Sequence, residues 1–461
     1  MSLVARSTPL ALMIAAVLQL NPAPAWPAKA SAFPELQQEY WTRSEKRDWD
    51  AVINAAQLKV DEVRASNAPP AKLAWTLSVL GQAQLGKEDF TAAAATFTEA
   101  LQLLEPIARG VDARLVEPLR GMGFALAGQN DYVQAVGYME KSLAILRRTD
   151  GLFDISQKDT LTELASSLSV MGKAEEASQQ MQYLRRVGEQ AYGPKDLRLV
   201  PHLCAMGDWY AQHGQITDAR EQYRDALEIV ENKAGEHDLT AVLPLRGLGH
   251  SYIVEVSFSN YGIRTQPSSV FSPPDGQAAS PINPRYLSSD GERALLQALS
   301  ILDAHANRPA DVLVSTLLQV GDWYQVKHQP DKALPYYQRA ASLALSATQG
   351  SKAEEAVLGF PLQLYYPTPA LATRYLNWPP SEVRERFVQV EFTVNSDGSV
   401  ENQRVIDKDA SRRQVSQTLE AISNARYRPK FVDGRPVETV AVSYRQIFRQ
   451  RRKGDKDEEE S

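Results

Sequence analysis

A mainly α chain of stacked helical hairpins, followed by a small α+β module, is predicted by two changes of period. Alanines recur every 42 residues through an alanine- and leucine-rich stretch from Glu35 to about Glu355. Near residue 388 the apolar spacing then switches from the helical period to strict alternation. With 461 residues, two or three domains and an ample core are expected. The formal net charge of −6 offers no broad basic surface, so nucleic acid is excluded as a partner.

The first 30 residues read as a secretory leader outside the fold. Arg6 supplies the positive start, Leu10–Leu20 a short apolar core, and Ala23-Pro24-Ala25 and Ala28-Lys29-Ala30 candidate cleavage sites. Spanning a bilayer takes about 20 apolar residues, roughly twice this run. Loss of Arg6 and Lys29 leaves 48 basic against 56 acidic residues, a mature charge of −8. Cys204 is the single cysteine, so no intrachain disulfide forms, and it reads as a small packed residue in a helix.

The repeat region is set by Ala51, Ala93, Ala135, Ala177 and Ala219. Four residues after each stand Ala55, Phe97, Met139, Met181 and Tyr223, on the same helical face. Twelve residues before come Glu39, Gly81, Gly123, Ala165 and Gly207, where a small residue on the preceding helix lets two helices close up. Each unit is thus a helix-turn-helix that buries its face only against its neighbours. Gly249 keeps the register, but Gly291 follows Ala219 by 72 residues, so about 30 have been inserted. They are residues 257–287, rich in proline and serine, which predicts a surface loop rather than helix. Gly321, Ala333, Tyr337 and Ala340 mark the last of about seven units.

The C-terminal module opens with Val388, Val390, Phe392 and Val394 on one strand face, then Asn395-Ser396-Asp397-Gly398 as a hairpin turn. A more polar strand runs from Val400 to about Asp407. Val415, Leu419 and Ile422 then take helical spacing, with Pro429 as the stop and Asp433-Gly434-Arg435-Pro436 as a second turn. A third strand places Val440, Val442, Tyr444 and Phe448 on one face, for a β-β-α-β unit.

Chemistry is sparse. The six histidines are scattered, with no H-E-x-x-H, P-loop, G-x-G-x-x-G or G-x-S-x-G. Glu175-Glu176 and Glu354-Glu355 lie in charged, solvated runs. Trp209-Tyr210 and Trp323-Tyr324 recur at one repeat position and read as packing. No catalytic residue, metal ligand or cofactor is expected. The tail passes from Arg449, Arg451, Arg452 and Lys453 into Asp455–Glu460, a solvated pattern whose basic half suits an anionic lipid surface.

The repeat resembles the tetratricopeptide repeat, through Gly207, Tyr210, Gly214, Ala219, Tyr223 and Ala226, and through Gly321, Tyr324, Ala333, Tyr337 and Ala340. Its period exceeds the usual 34, implying longer helices or loops. The resemblance implies a solenoid whose groove binds protein segments, with Gln82, Phe124, Asp208, His250 and Asp322 facing it. F-T-V-N-S-D-G-S-V and A-R-Y-R-P-K-F-V-D-G-R-P-V (Ala425–Val437) resemble the C-terminal domain of TonB-family proteins. Lys408-Asp409-Ala410-Ser411 departs from that family's pattern before the helix. This resemblance implies that an extended peptide adds to the last strand, here Val437, Glu438, Thr439, Val440, Ala441, Val442, Ser443 and Tyr444.

The domains expected are a leader at 1–30, repeats at 31–356, the TonB-like domain at 357–450 and a charged tail at 451–461. The first functional reading is a non-enzymatic periplasmic adaptor for proteins or peptides of the cell envelope, outer-membrane receptors among them. A TonB-type energy transducer is the alternative, and it requires an uncleaved leader. An envelope hydrolase is the third, and it requires His and carboxylates clustered in the groove.

Overall fold

The computed structural model describes residues 49–260, 283–346, 351–373 and 383–451. The leader, residues 261–282 of the expected insertion and the tail beyond Arg451 lie outside the described residues. The chain divides into two compact units, ending at His202 and beginning at Leu203.

In the first unit α1 (Trp49–Ala65) precedes three hairpins: α2 (Pro70–Gly86) with α3 (Phe90–Leu104), α4 (Val116–Gly128) with α5 (Tyr132–Thr149), and α6 (Lys158–Val170) with α7 (Ala174–Tyr192). Asp89 and Asp131, 42 residues apart, cap α3 and α5 by accepting the N–H of Ala92 and Gln134. One apolar cluster joins Val52, Ala56 and Val60 to Leu77, Leu80 and Leu104, and a second packs Phe97 with Ala93, Met122 and Ala125.

In the second unit the hairpins are α8 (Val200–Gln212) with α9 (Ile216–Lys233), α10 (Val242–Asn260) with α11 (Ser289–Ala304), and α12 (Ala310–Val326) with α13 (Pro330–Ser346). A short α14 (Ser351–Leu358) follows. The described residues thus hold six complete hairpins and α1. Helix α10 runs to Asn260, so the first four residues of the expected loop are helical.

The long period has a structural cause. Short 3-10 turns at Ala113–Leu115, Ile155–Gln157, Leu197–Leu199 and Leu239–Ala241 lead into successive first helices. Each is opened by an aspartate (Asp112, Asp154, Asp196, Asp238) that accepts the N–H two residues on. The second helices of the hairpins add length, with 15 to 19 residues from α3 to α9.

The C-terminal module comprises β1 (Leu362–Tyr365), α15 (Ala370–Thr373), β2 (Val383–Val394), β3 (Val400–Asp409), α16 (Arg412–Asn424), β4 (Arg426–Arg428), β5 (Lys430–Val432), β6 (Arg435–Val437) and β7 (Thr439–Arg451). Its sheet has the order β3-β2-β7, all antiparallel. Val388, Val390, Phe392, Val394 and Phe448 make the buried face, covered by Ala421 and Ile422 of α16 and by Tyr366 and Ala372. Ser411 and Gln414 form a reciprocal capping box, so α16 starts firmly at the place where the sequence leaves the family pattern.

Three expectations are corrected. Helix α16 ends at Asn424, before Pro429, because Ala425 already takes extended backbone. Two further pairings, β1 with β4 and β5 with β6, accompany the three-stranded sheet. Val440 is 67% exposed rather than on the buried face. Phe392 opposes Val442 but Val394 opposes Thr439, so a bulge takes up Val440 and Ala441.

Helix closeness sets a clear expectation. An alanine Cβ at Gly247 would come within 2.3 Å of the Tyr223 ring, whereas at Gly137 in α5 it meets nothing within 4 Å. Gly247→Ala should therefore destabilise the second unit by about 1–3 kcal/mol through overpacking. Gly137→Ala should add up to about 1 kcal/mol. Denaturant unfolding of both variants checks the sign of each.

Candidate functional site

The residues expected to face the groove have unequal fates. In the first unit Gln82 is 2% exposed, with its Nε2 sealed and unpartnered, while Phe124 is half-buried. In the second unit Asp208 and His250 are half-buried and Asp322 is covered.

What covers Asp322 is the C-terminal module. Arg428 of β4 donates from Nε to Asp322 Oδ1 at 2.9 Å and from Nη2 to Oδ2 at 2.5 Å, a two-pronged pair. The Tyr337 hydroxyl donates to the same Oδ1 at 2.8 Å, and its ring fills the space left by Gly321. Both charged side chains are nearly enclosed, at 13% and 12% exposure. Burial opposes the charge on Arg428, but Asp322 and Tyr337 outweigh it and the guanidinium ends above its usual range. Burial and the adjoining Asp322 drive the Tyr337 hydroxyl well upward.

Both turns of the module dock beside this pair. Gln325 of α12 donates to the Asp397 carbonyl at 2.7 Å. Gly398 there has φ +80°, and an added Cβ would lie 1.9 Å from the Tyr427 carbonyl oxygen and 2.1 Å from Gln325 Nε2. Only glycine fits that approach. At the second turn the Gly434 N–H donates to Oε1 of Glu354, which is 3% exposed. Phe431 meets the Tyr337 ring edge to face at 6.4 Å between centroids. The segment Ala425–Val437 is therefore a docking clamp, which sequence reasoning missed because the partner lies about 100 residues earlier in the chain.

The same pair of residue types recurs two hairpins earlier. Tyr223 donates to Asp208 Oδ1 at 2.6 Å, as Tyr337 does to Asp322. Burial raises the Asp208 carboxyl against the pull of Tyr223 and Arg246. Arg246, 6% exposed, donates from Nε to Gln319 Oε1 at 2.8 Å. Burial lowers the His250 imidazole against Asp322, with Arg246 adding to the fall. Cys204 is buried and its thiol is pushed up by that burial. No group of three or more His, Cys, Asp or Glu able to hold a metal occurs among the described residues.

The proposed peptide edge is divided between two strands. Val437 ends β6, which pairs with β5, and Glu438 links it to β7, where Thr439 to Tyr444 lie. Beyond the bulge β7 runs in unbroken register with β2 from Val442 to Arg451. Strand β3, at the opposite end of the sheet order, breaks register twice and holds Asn402 at φ +54°. On β7 Tyr444 packs against Tyr366 at 4.7 Å between ring centroids, and the Tyr366 hydroxyl donates to Gln446 Oε1 at 2.8 Å. Among the described residues no helix is long and apolar enough to cross a membrane.

Removing one member of a buried ion pair costs about 3–5 kcal/mol, because the other charge is stranded. Arg428→Ala should accordingly release β4, β5 and β6, read as faster amide exchange across residues 426–437. Replacing Arg428 with Met and Asp322 with Leu together should restore much of that protection, since neither charge is then left alone.

Comparison with known proteins places these parts. The tetratricopeptide repeat family matches residues 157–232, and the Gram-negative bacterial TonB protein C-terminal family matches residues 385–448. No curated protein matches. Among solved structures, a Podosopora anserina putative kinesin light chain with nearly identical TPR-like repeats is similar at 13% identity and TM-score 0.39, covering 52% of this chain and 98% of that one. BtubC from P. vanneervenii is similar at 17% identity and TM-score 0.33, covering 64% and 90%. The apo form of RapI is similar at 11% identity and TM-score 0.41, covering 70% and 79%. This chain therefore carries tetratricopeptide repeats and a TonB-type C-terminal domain.

Proposed function

We propose that the chain is a periplasmic adaptor of the Gram-negative cell envelope, holding one partner on the first-helix face of its repeats and another at β7. The observation that carries this reading is the placement of β7. The module's turns and Arg428 are engaged by the last hairpin and α14. That leaves β7 at the end of the sheet order, with ten residues in unbroken register from Val442 to Arg451. A terminal strand of that length is a template for an added one, the backbone giving affinity and alternate side chains giving choice. Strand β3 is a poor template, since two register breaks interrupt its ladder. The candidate edge therefore shifts along the chain, from Val437–Tyr444 towards Val442–Arg451. Outer-membrane receptors are among the partners that this reading admits.

A photo-crosslinking residue placed at Ile447 on β7 or at Ile406 on β3 tests it, both positions being over 40% exposed. Discrete adducts in the envelope fraction are expected from Ile447 and not from Ile406. Equal labelling from both, or none from Ile447, removes the strand-addition reading.

A further inference from the structure

The first-helix face of the second unit carries a buried cation with no ion-pair partner among the described residues. Arg246 is 6% exposed, and its only hydrogen bond among the described residues runs from Nε to Gln319. Its two Nη groups have no acceptor there, yet neither is sealed from solvent. Asp208 and Asp311 pull on the charge from beyond ion-pair distance. Burial outweighs them and pushes the guanidinium down to about 10.

An internal comparison shows what is missing. Arg120 occupies the equivalent repeat position three periods earlier and is 3% exposed. It is neutralised by Glu117, one turn before it, at 2.6 Å. One turn before Arg246 stands Leu243. A buried cation without a close anion is costly to keep, and none stands within ion-pair distance of Arg246 among the described residues.

The surroundings say what would fit. Asp208 Oδ1 accepts from Tyr223, and the aspartate has no other hydrogen bond among the described residues. His250, one turn after Arg246, is half-buried and makes none there. These groups lie on α8 and α10, with Gln319 on α12. Packed helices stand about 8–10 Å apart, so an extended segment of about six residues crosses all three. Asp208 on α8 offers it an acceptor, and His250 stands one turn along α10 from Arg246. The segment therefore runs past the arginine rather than ending at it.

We propose that Arg246 is the anchor of a peptide site, receiving the side-chain carboxylate of an Asp or Glu within an extended partner segment. Asp208 accepts a backbone N–H of that segment, and His250 also bonds its backbone. The site rests on the groove half of the adaptor reading and gives its partner a chemistry.

The test pans a display library of random heptapeptides, flanked on both ends so that no free terminus is offered, against the full chain. Selected peptides are then measured by fluorescence anisotropy on wild type, Arg246→Gln and Arg246→Lys. Peptides sharing one acidic position are expected. Changing that acid to its amide should weaken binding at least tenfold on wild type and have little effect on Arg246→Gln, while Arg246→Lys recovers part of the loss. Arg246→Gln should leave the melting temperature unchanged or raised, because it removes an uncompensated buried charge. Peptides that bind Arg246→Gln as tightly as wild type overturn the anchor but keep the groove. A library that yields no binder overturns both. A melting temperature that falls equally in Arg246→Gln and Gln319→Ala, with peptide affinity untouched, makes Arg246 a structural tie and overturns the site.

Discussion

The two-pronged pair between Arg428 and Asp322 is the constraint on which the placement of the C-terminal module depends. A buried ion pair adds little net stability, because desolvating both charges offsets most of their attraction. Its value here is geometric. A guanidinium fork meets a carboxylate in one plane and one direction, and Tyr337 fixes that carboxylate from the other side. With β4 so oriented, the turn at Gly398 reaches Gln325 and the turn at Gly434 reaches Glu354. Three polar contacts along the last hairpin and α14 define a single seat. Apolar packing of Phe431 on Tyr337 could by itself be met by several rotations; the hydrogen bonds select one.

Much of this was legible in the residues, and the boundary of legibility has a physical cause. Period carries local and nearest-neighbour structure, so the 42-residue alanines located each hairpin and the alternation from Val388 to Val394 located β2. A second signal of the same period was present and not read. Asp112, Asp154, Asp196 and Asp238 also fall 42 apart, and they open the turns that stretch the repeat. The bulge at Val440 and Ala441 was illegible, because alternation alone cannot show where one strand takes an extra residue against another. The clamp was illegible for a stronger reason. Nothing local distinguishes an arginine bound for a partner 106 positions away from one bound for water.

The interaction surfaces follow from what the clamp consumes. The motif that identifies the module, Ala425–Val437, is turned inward against the last hairpin and α14, so it serves docking within this chain. The sheet then keeps β3 and β7 at its two ends, and their regularity differs. Two register breaks and a left-handed residue roughen β3, whereas β7 carries its single break at the start. Backbone register, rather than side-chain character, is thus what distinguishes the two ends.

The repeat face shows the same logic at a smaller scale. Asp322 and Asp208 occupy equivalent places, and each takes a hydroxyl from the tyrosine fifteen residues on. At Asp322 the remaining acceptor capacity is met by Arg428, and the site is closed. At Asp208 the nearest cation, Arg246, stands off and bonds Gln319 instead, so acceptor and donor are both left with capacity. One repeat position thus has two settings, a closed one at Asp322 that seats the module and one at Asp208 that keeps acceptor capacity. At the closed site a charged side chain from β4 is held by a carboxylate that a tyrosine has already oriented. At the Asp208 site the buried charge on the repeat is the cation, Arg246, and its close contact is the neutral Gln319.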